Sequence, residues 1–181
     1  MKKALVLILM VLFCSVGLYA QTIPESTWKK NWKLVYGKDK FGDENRSDPR
    51  LMGAGKYESV VFIITPLSGI YLVFPDTRFE IIDYANSDLS IKTKDMGIKE
   101  MSLNKISRTV FQIANREDNF TMLDILDAGH FKLALELSEY GIESEIFNAE
   151  VINETIGVIE AMEYYFMDIP GFQDAWNFYG D

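Results

Sequence analysis

The chain has 181 residues, with 18 Lys and Arg against 27 Asp and Glu, a net charge of −9 and a single cysteine, Cys14. That length suits one domain with a proper core. The acidic balance argues against a phosphate-backbone or anionic-membrane partner, and one cysteine leaves no disulfide and no thiolate metal site.

Met1 to Ala20 reads as a secretory signal peptide. Lys2 and Lys3 form a positive start, Ala4 to Val16 is an uncharged apolar run, and Gly17 breaks it. Leu18-Tyr19-Ala20 then offers a small residue at −1, so cleavage is expected before Gln21. Two rivals stand beside this reading. An uncleaved anchor would have only the 17 residues from 4 to 20, weakened by Ser15 and Gly17. A lipoprotein modified at Cys14 would need a small residue where Phe13 stands. Cleavage removes Cys14 and leaves 161 residues, whose 16 basic and 27 acidic side chains sum to −11. The expected address is the periplasm or the outside of a bacterial cell, with no stable membrane span after cleavage. That address argues against cytosolic ATP, NAD and nucleic-acid chemistry.

In the mature chain, residues 21–31 begin polar. Trp32 to Tyr36 alternates and reads as a strand, and the glycine-rich polar stretch Gly37 to Lys56 as a loop. Ser59 to Thr65 and Ile70 to Phe74 are apolar runs joined by Pro66-Leu67-Ser68-Gly69, the pattern of a buried hairpin. Phe79 to Tyr84 is a further expected strand. Leu89 to Lys94 alternates with Leu89, Ile91 and Thr93 inward, between turns at Asn86-Ser87-Asp88 and Asp95-Met96-Gly97. Thr109 to Ala114 reads as a strand. Thr121 to Asp127 reads as one or two helical turns, capped by Asp118, Asn119 or Thr121 and ended by Gly129.

Phe131 to Leu137 has the clearest alternation in the chain, and Glu143 to Val151 should pair back on it through Tyr140-Gly141. Asn153 should cap a helix from Glu154 to about Phe166, with Ile156, Ile159, Met162 and Phe166 inward and Pro170-Gly171 stopping it. The tail 172–181 is aromatic. Together these segments predict a mostly β fold: an antiparallel β-sandwich or flattened barrel of about eight strands, with a short helix and a C-terminal helix packed on it.

Trp32, followed by Asp39-Lys40-Phe41-Gly42-Asp43, resembles an uncharacterised family of small exported bacterial β-sandwich proteins with a W…D-x-F-G-D motif. Leu123, Leu126, Gly129 and Leu133 lie near a second pattern of that family, and Ile146-Phe147 near its aromatic strand. The chain departs from it at His130 and in an insertion at Asn45 to Arg50. The resemblance implies a β-sandwich and no catalytic residues. Some type VI secretion accessory proteins are similar in element order, a likeness of fold alone.

The chemical candidates are few. His130 is the single histidine, which excludes a multi-His zinc site. A Ser-His-Asp triad would have to use it with an acid such as Asp127, and no G-x-S-x-G elbow is present. The simpler expectation is that His130 starts a strand and faces water. Asp39, Asp43, Asn45 and Asp48, with Ser47, place hard oxygen ligands suited to calcium in one loop. Counted from Asp43, an EF-hand loop fails at Asp48 and Ala54. The alternative is a turn in which Phe41 anchors into the core, Gly42 takes an unusual φ, and Asp39 and Asp43 bond nearby backbone.

Gly53-Ala54-Gly55-Lys56 lacks the flanking Gly and Ser or Thr of a phosphate loop, with Arg50 and Tyr57 in their places. Glu143 with Glu145, and Glu160 with Glu163, are the carboxylate pairs a glycan hydrolase could use, although solvated faces explain most such pairs. Sequons at Asn45, Asn119 and Asn153 are coincidental in a bacterial protein, and the last two fall where helix caps are wanted. Phe172, Trp176, Phe178 and Tyr179 are partner-binding candidates if exposed, but folding back over one end of the β layer is the favoured arrangement.

No catalytic set and no cofactor emerges. The leading expectation is a non-enzymatic exported binding or accessory protein of the bacterial envelope, partnered by another envelope protein and not by nucleic acid. A small lipid-like ligand carrier and a carboxylate-dependent glycan hydrolase are the alternatives.

Overall fold

The alternating segments join into one antiparallel sheet. The structure is a computed structural model that describes residues 23–54, 59–75, 86–138, 145–152 and 155–176. Nine strands are described: β1 (Lys33–Lys38), β2 (Glu44–Ala54), β3 (Val61–Thr65), β4 (Gly69–Val73), β5 (Asn86–Thr93), β6 (Gly97–Lys105), β7 (Val110–Ile113), β8 (His130–Ser138) and β9 (Glu145–Ile152). Their spatial order is β1-β2-β3-β4-β7-β6-β5-β8-β9, with every pair antiparallel.

The mostly β expectation holds. The strands form one curled sheet, a half-barrel, and helices take the place of a second sheet. Ring contacts record the curl. Phe62 of β3 meets Phe131 of β8 at 6.0 Å between centroids, and Phe74 beyond β4 meets Phe147 of β9 at 5.1 Å. Strands that far apart in the order touch only if the sheet bends round on itself.

Four helices are described: α1 (Glu25–Asn31), α2 (Arg116–Ala128), α3 (Val158–Phe166) and α4 (Phe172–Trp176). Helix α2 packs on β4, β7 and β8, and α3 packs on α1 and α2. Met122, Leu123, Ile125 and Leu126 of α2, and Val158, Ala161, Met162 and Phe166 of α3, join the sheet's buried side chains in one core. The expected inward residues Leu89, Ile91 and Thr93 are buried, as are Phe131, Leu133, Leu135 and Leu137. The expected signal peptide and the strand at Phe79 to Tyr84 lie outside the described residues, as do Tyr140-Gly141 and Asn153.

Several elements differ from expectation. The stretch Gly37 to Lys56 is largely strand, not loop. Along β1–β2, Tyr36 pairs with Pro49 but Gly37 with Asn45, so Arg46, Ser47 and Asp48 bulge out unopposed. The bulge is where a strand tolerates Pro49, which has no N–H to donate. Gly53, read as a loop residue, lets the Trp32 indole lie flat on β2: a Cβ there would come within 2.8 Å of the ring.

Strand β6 carries too weak an alternation to be read, since Met101 is its single buried hydrophobic residue. It is nonetheless held in the sheet along its length, by β5 from Gly97 to Ser102 and by β7 from Leu103 to Lys105. Asn86 to Asp88 open β5 instead of turning, and pair with Ser138 to Glu136. Helix α1, with Trp28 buried, arises where the sequence looked merely polar.

Helix α2 starts earlier than expected. Its cap is Asn115, whose side-chain oxygen accepts from the Asp118 N–H at 2.9 Å. Gly129 ends the helix as expected, at φ 67°. Helix α3 begins at Val158, after Gly157 at φ 81°, and not at Glu154. Asn115→Ala is expected to cost about 1 kcal/mol, read as a fall in Tm of roughly 2–4 °C by thermal unfolding. An unchanged Tm would show that the cap adds nothing.

Candidate functional site

The tail folds back. Phe172 is fully buried against Phe166, with centroids 5.7 Å apart, and Trp176 is buried with its indole N–H donating to the Pro66 carbonyl at 2.8 Å. These two partner-binding candidates are therefore core residues and not a surface patch. Phe178 and Tyr179 lie outside the described residues.

The fold-back builds a cleft of about 270 Å³ between the β3–β4 turn, the end of β7, the first turns of α2, and α4. Phe120 and Trp176, edge to face at 6.2 Å, form its aromatic wall. Arg116 lies 5.4 Å from the Phe120 ring and reaches the Asp174 carbonyl at 3.5 Å. Gln112 donates to the Ser68 carbonyl at 2.6 Å.

Asn119, expected as a cap or a chance sequon, is a clamp inside α2. Its oxygen accepts from the Ile70 N–H at 2.8 Å, and its amide donates to the carbonyls of Asn115 at 2.7 Å and Ile113 at 3.3 Å. Each of these bonds ties the start of α2 to its own cap or to the sheet, so the cleft is rigidly framed. Leu67 stands at its rim with 60% of its surface exposed.

A second constellation lies at the junction of α1, α2 and α3. Glu160 of α3 accepts from the Ile23 N–H through Oε1 at 2.8 Å. Its Oε2 is buried with no hydrogen-bond partner. Asp127, near the end of α2, accepts from the Gly157 N–H at 3.2 Å. Burial first, and then the Glu160 charge, push the Asp127 carboxyl above its ordinary range, against the pull of the Gly157 and Val158 N–H groups. The pairing expected for Glu160 was Glu163, its neighbour along one helix; the fold sets it against Asp127, 33 positions away in the chain.

No family model, curated protein or solved structure matches this chain.

The calcium candidates Asp39, Asp43, Asn45 and Asp48 do not converge. Asp39 accepts from the N–H groups of Phe41 at 2.8 Å and Asp43 at 3.0 Å, closing the β1–β2 turn. Asn45 accepts from Ser47, and Asp48 pairs with Arg50. Among the described residues no three His, Cys, Asp or Glu side chains gather closely enough to hold a metal ion. The turn reading fits for Asp39 and for Gly42, at φ 88°. It fails for Phe41, which is 78% exposed under the Lys40 ammonium instead of anchored in the core.

His130 opens β8 facing solvent, 3.6 Å from Glu150 on the neighbouring strand, so no triad forms with Asp127. Glu145 opens β9, and its expected partner Glu143 lies outside the described residues. A broad depression of about 600 Å³ on the sheet's outer face is bordered by Asp88, Glu100 and Glu136. Among the described residues no helix is long and apolar enough to cross a membrane.

Proposed function

We propose that this protein is an exported, non-enzymatic binding or accessory module of the bacterial envelope, engaging another envelope protein through the cleft beside Trp176. The observation that carries the reading is the cleft itself. A framed concavity of about 270 Å³ brings two aromatic edges, a guanidinium and an exposed Leu67 together at the end of the half-barrel. Aromatic and arginine side chains around a rigid apolar rim are the composition of protein-binding hot spots. The leader at Met1 to Ala20 and the W…D-x-F-G-D resemblance support the address.

The carrier alternative wants an enclosed apolar cavity. Among the described residues the inner side of the sheet is packed with Met122, Ile125, Met162, Phe166 and Phe172, all fully buried, in the space such a cavity would need.

The test is site-specific photo-crosslinking in cells. A photoreactive residue at Leu67 is compared with one at Ile98, which is 65% exposed on β6 outside the cleft. The expected result is one dominant envelope adduct from position 67, absent from position 98, and lost when Arg116 is changed to alanine. Identical adducts from both positions would overturn the proposal.

A further inference from the structure

We propose that the outer face of β5, β6 and β8 is a self-complementary docking surface for a second copy of this chain, the basic end of each copy seated on the acidic end of the other. The face shares no lining residue with the cleft, so the inference stands apart from the function proposed above.

Three observations carry it. First, like charges stand directly opposite each other, once in each sign. The β5–β8 register sets Asp88 against Glu136 and Lys92 against Lys132. All four are exposed and alternate with the buried Leu89, Ile91, Leu133 and Leu135, so they share the outer face. Facing like charges weaken a strand pair. Exchanging Glu136 and Lys132 would remove both clashes, so the folded single copy bears a cost that a complementary surface relieves.

Second, these charges are not neutralised within the chain. Among the described residues Asp88, Glu100, Glu136 and Lys92 enter no ion pair. Lys132 has one loose partner, Glu150 at 3.7 Å, which it shares with His130.

Third, shape follows charge. The depression of about 600 Å³ lies at the acidic end, bordered by Asp88, Glu100 and Glu136 and lined by the small Ser90. At the other end Lys92 and Lys132 stand exposed, four residues and about 13 Å along the strands from Asp88 and Glu136. One face thus holds an acidic socket and two long ammonium side chains.

A two-fold axis in the plane of contact, crossing the strands between Ser90 and Lys92, joins these features. It brings Lys92 of each copy over Ser90 of the other, in the middle of the socket, and Lys132 beside it. Every contact is made twice. An axis along the strands would lay acid on acid and base on base, so the charge pattern fixes the orientation. Three strands, with β5 eight residues long, give a face of roughly 10 by 27 Å. That is small for a permanent dimer, and a weak, reversible one is expected.

The experiment is sedimentation equilibrium of the purified protein at an ionic strength of about 0.1 M, where the chain's net charge is screened beyond about 10 Å and touching charges are not. The parent is compared with an all-acid face, Lys92→Glu with Lys132→Glu, and an all-basic face, Asp88→Lys with Glu136→Lys. The parent is expected to approach twice the monomer mass as its concentration rises. Each reversed variant should associate at least about tenfold more weakly, and their equimolar mixture should regain the dimer. The all-basic variant moves the net charge from −9 toward zero, so its loss of association cannot come from overall repulsion. Ser90→Tyr fills the socket without changing charge and suits a strand. It should abolish the dimer as well, and it decides the matter if a reversed variant fails to fold. A parent that stays monomeric up to about 1 mM overturns the inference and leaves the face to a different partner. Parent-like association of any variant, or a mixture of folded variants that stays monomeric, overturns it too.

Discussion

Replacing Trp32 by alanine is expected to cost about 3–5 kcal/mol, enough to lower Tm by on the order of 10 °C. Trp32 is 1% exposed and lies on Gly53 of β2, so its removal leaves a void that the rigid sheet cannot close. It also carries a polar connection. Its indole N–H donates to the Thr155 carbonyl at 3.1 Å, and the buried Thr155 hydroxyl donates to the Leu126 carbonyl at 2.8 Å. That relay ties the first strand to the end of α2 and to the segment leading into α3. Trp32→Phe separates the two contributions. It keeps most of the ring and loses the donor, and leaving the Thr155 carbonyl bare should cost about 1–3 kcal/mol. Denaturant titration checks both variants. A loss below about 1 kcal/mol for Trp32→Ala would mean that the sheet repacks around the gap.

Trp176→Ala is expected to act in a different place, by about 3 kcal/mol. The side chain is 3% exposed, faces Phe120, and donates to the Pro66 carbonyl at 2.8 Å. Because α4 is five residues long, it holds by these contacts and not by its own helical propensity. The variant should therefore release α4 while β3, β4 and α2 stay folded. Hydrogen exchange reads this as lost protection over 172–176 with little change in β8. The same variant removes a wall of the cleft, so the crosslink from Leu67 should vanish below the melting transition. Uniform loss of protection across the sheet would show instead that the tail is integral to the core.

The parts of the fold legible in the sequence were those where one strand face is buried and the other is wet. Phe131 to Leu137 shows this best, with four buried residues alternating with outward ones. The β3–β4 hairpin was legible through Pro66 to Gly69, where the Thr65 hydroxyl accepts from the Ser68 N–H and Gly69 takes φ 94°. Strands β2 and β6 were not, for opposite reasons. In β2 a bulge and Pro49 interrupt the period, whereas β6 is mostly exposed and is held by its backbone. Hydrophobic periodicity reports side-chain burial, and a strand held by its hydrogen bonds alone gives it little to report.

The candidate sites show the same division. Asp39 and Gly42 were correctly read as turn-makers, because an Asx turn is local. The cleft and the Asp127–Glu160 pair draw on residues separated by tens of positions, and no spacing rule joins them.

Length, acidity, the apolar leader pattern and the alternating segments are properties of consecutive residues, so the sequence by itself determined the class of fold and an expected address. Whether the strands would form two sheets or one curled sheet rested on long-range pairing. So did the fate of the aromatic tail, exposed or buried, and the partner that Glu160 would meet. Those outcomes depend on which surfaces remain to be covered once the sheet has closed partway, a quantity that exists only in the assembled chain.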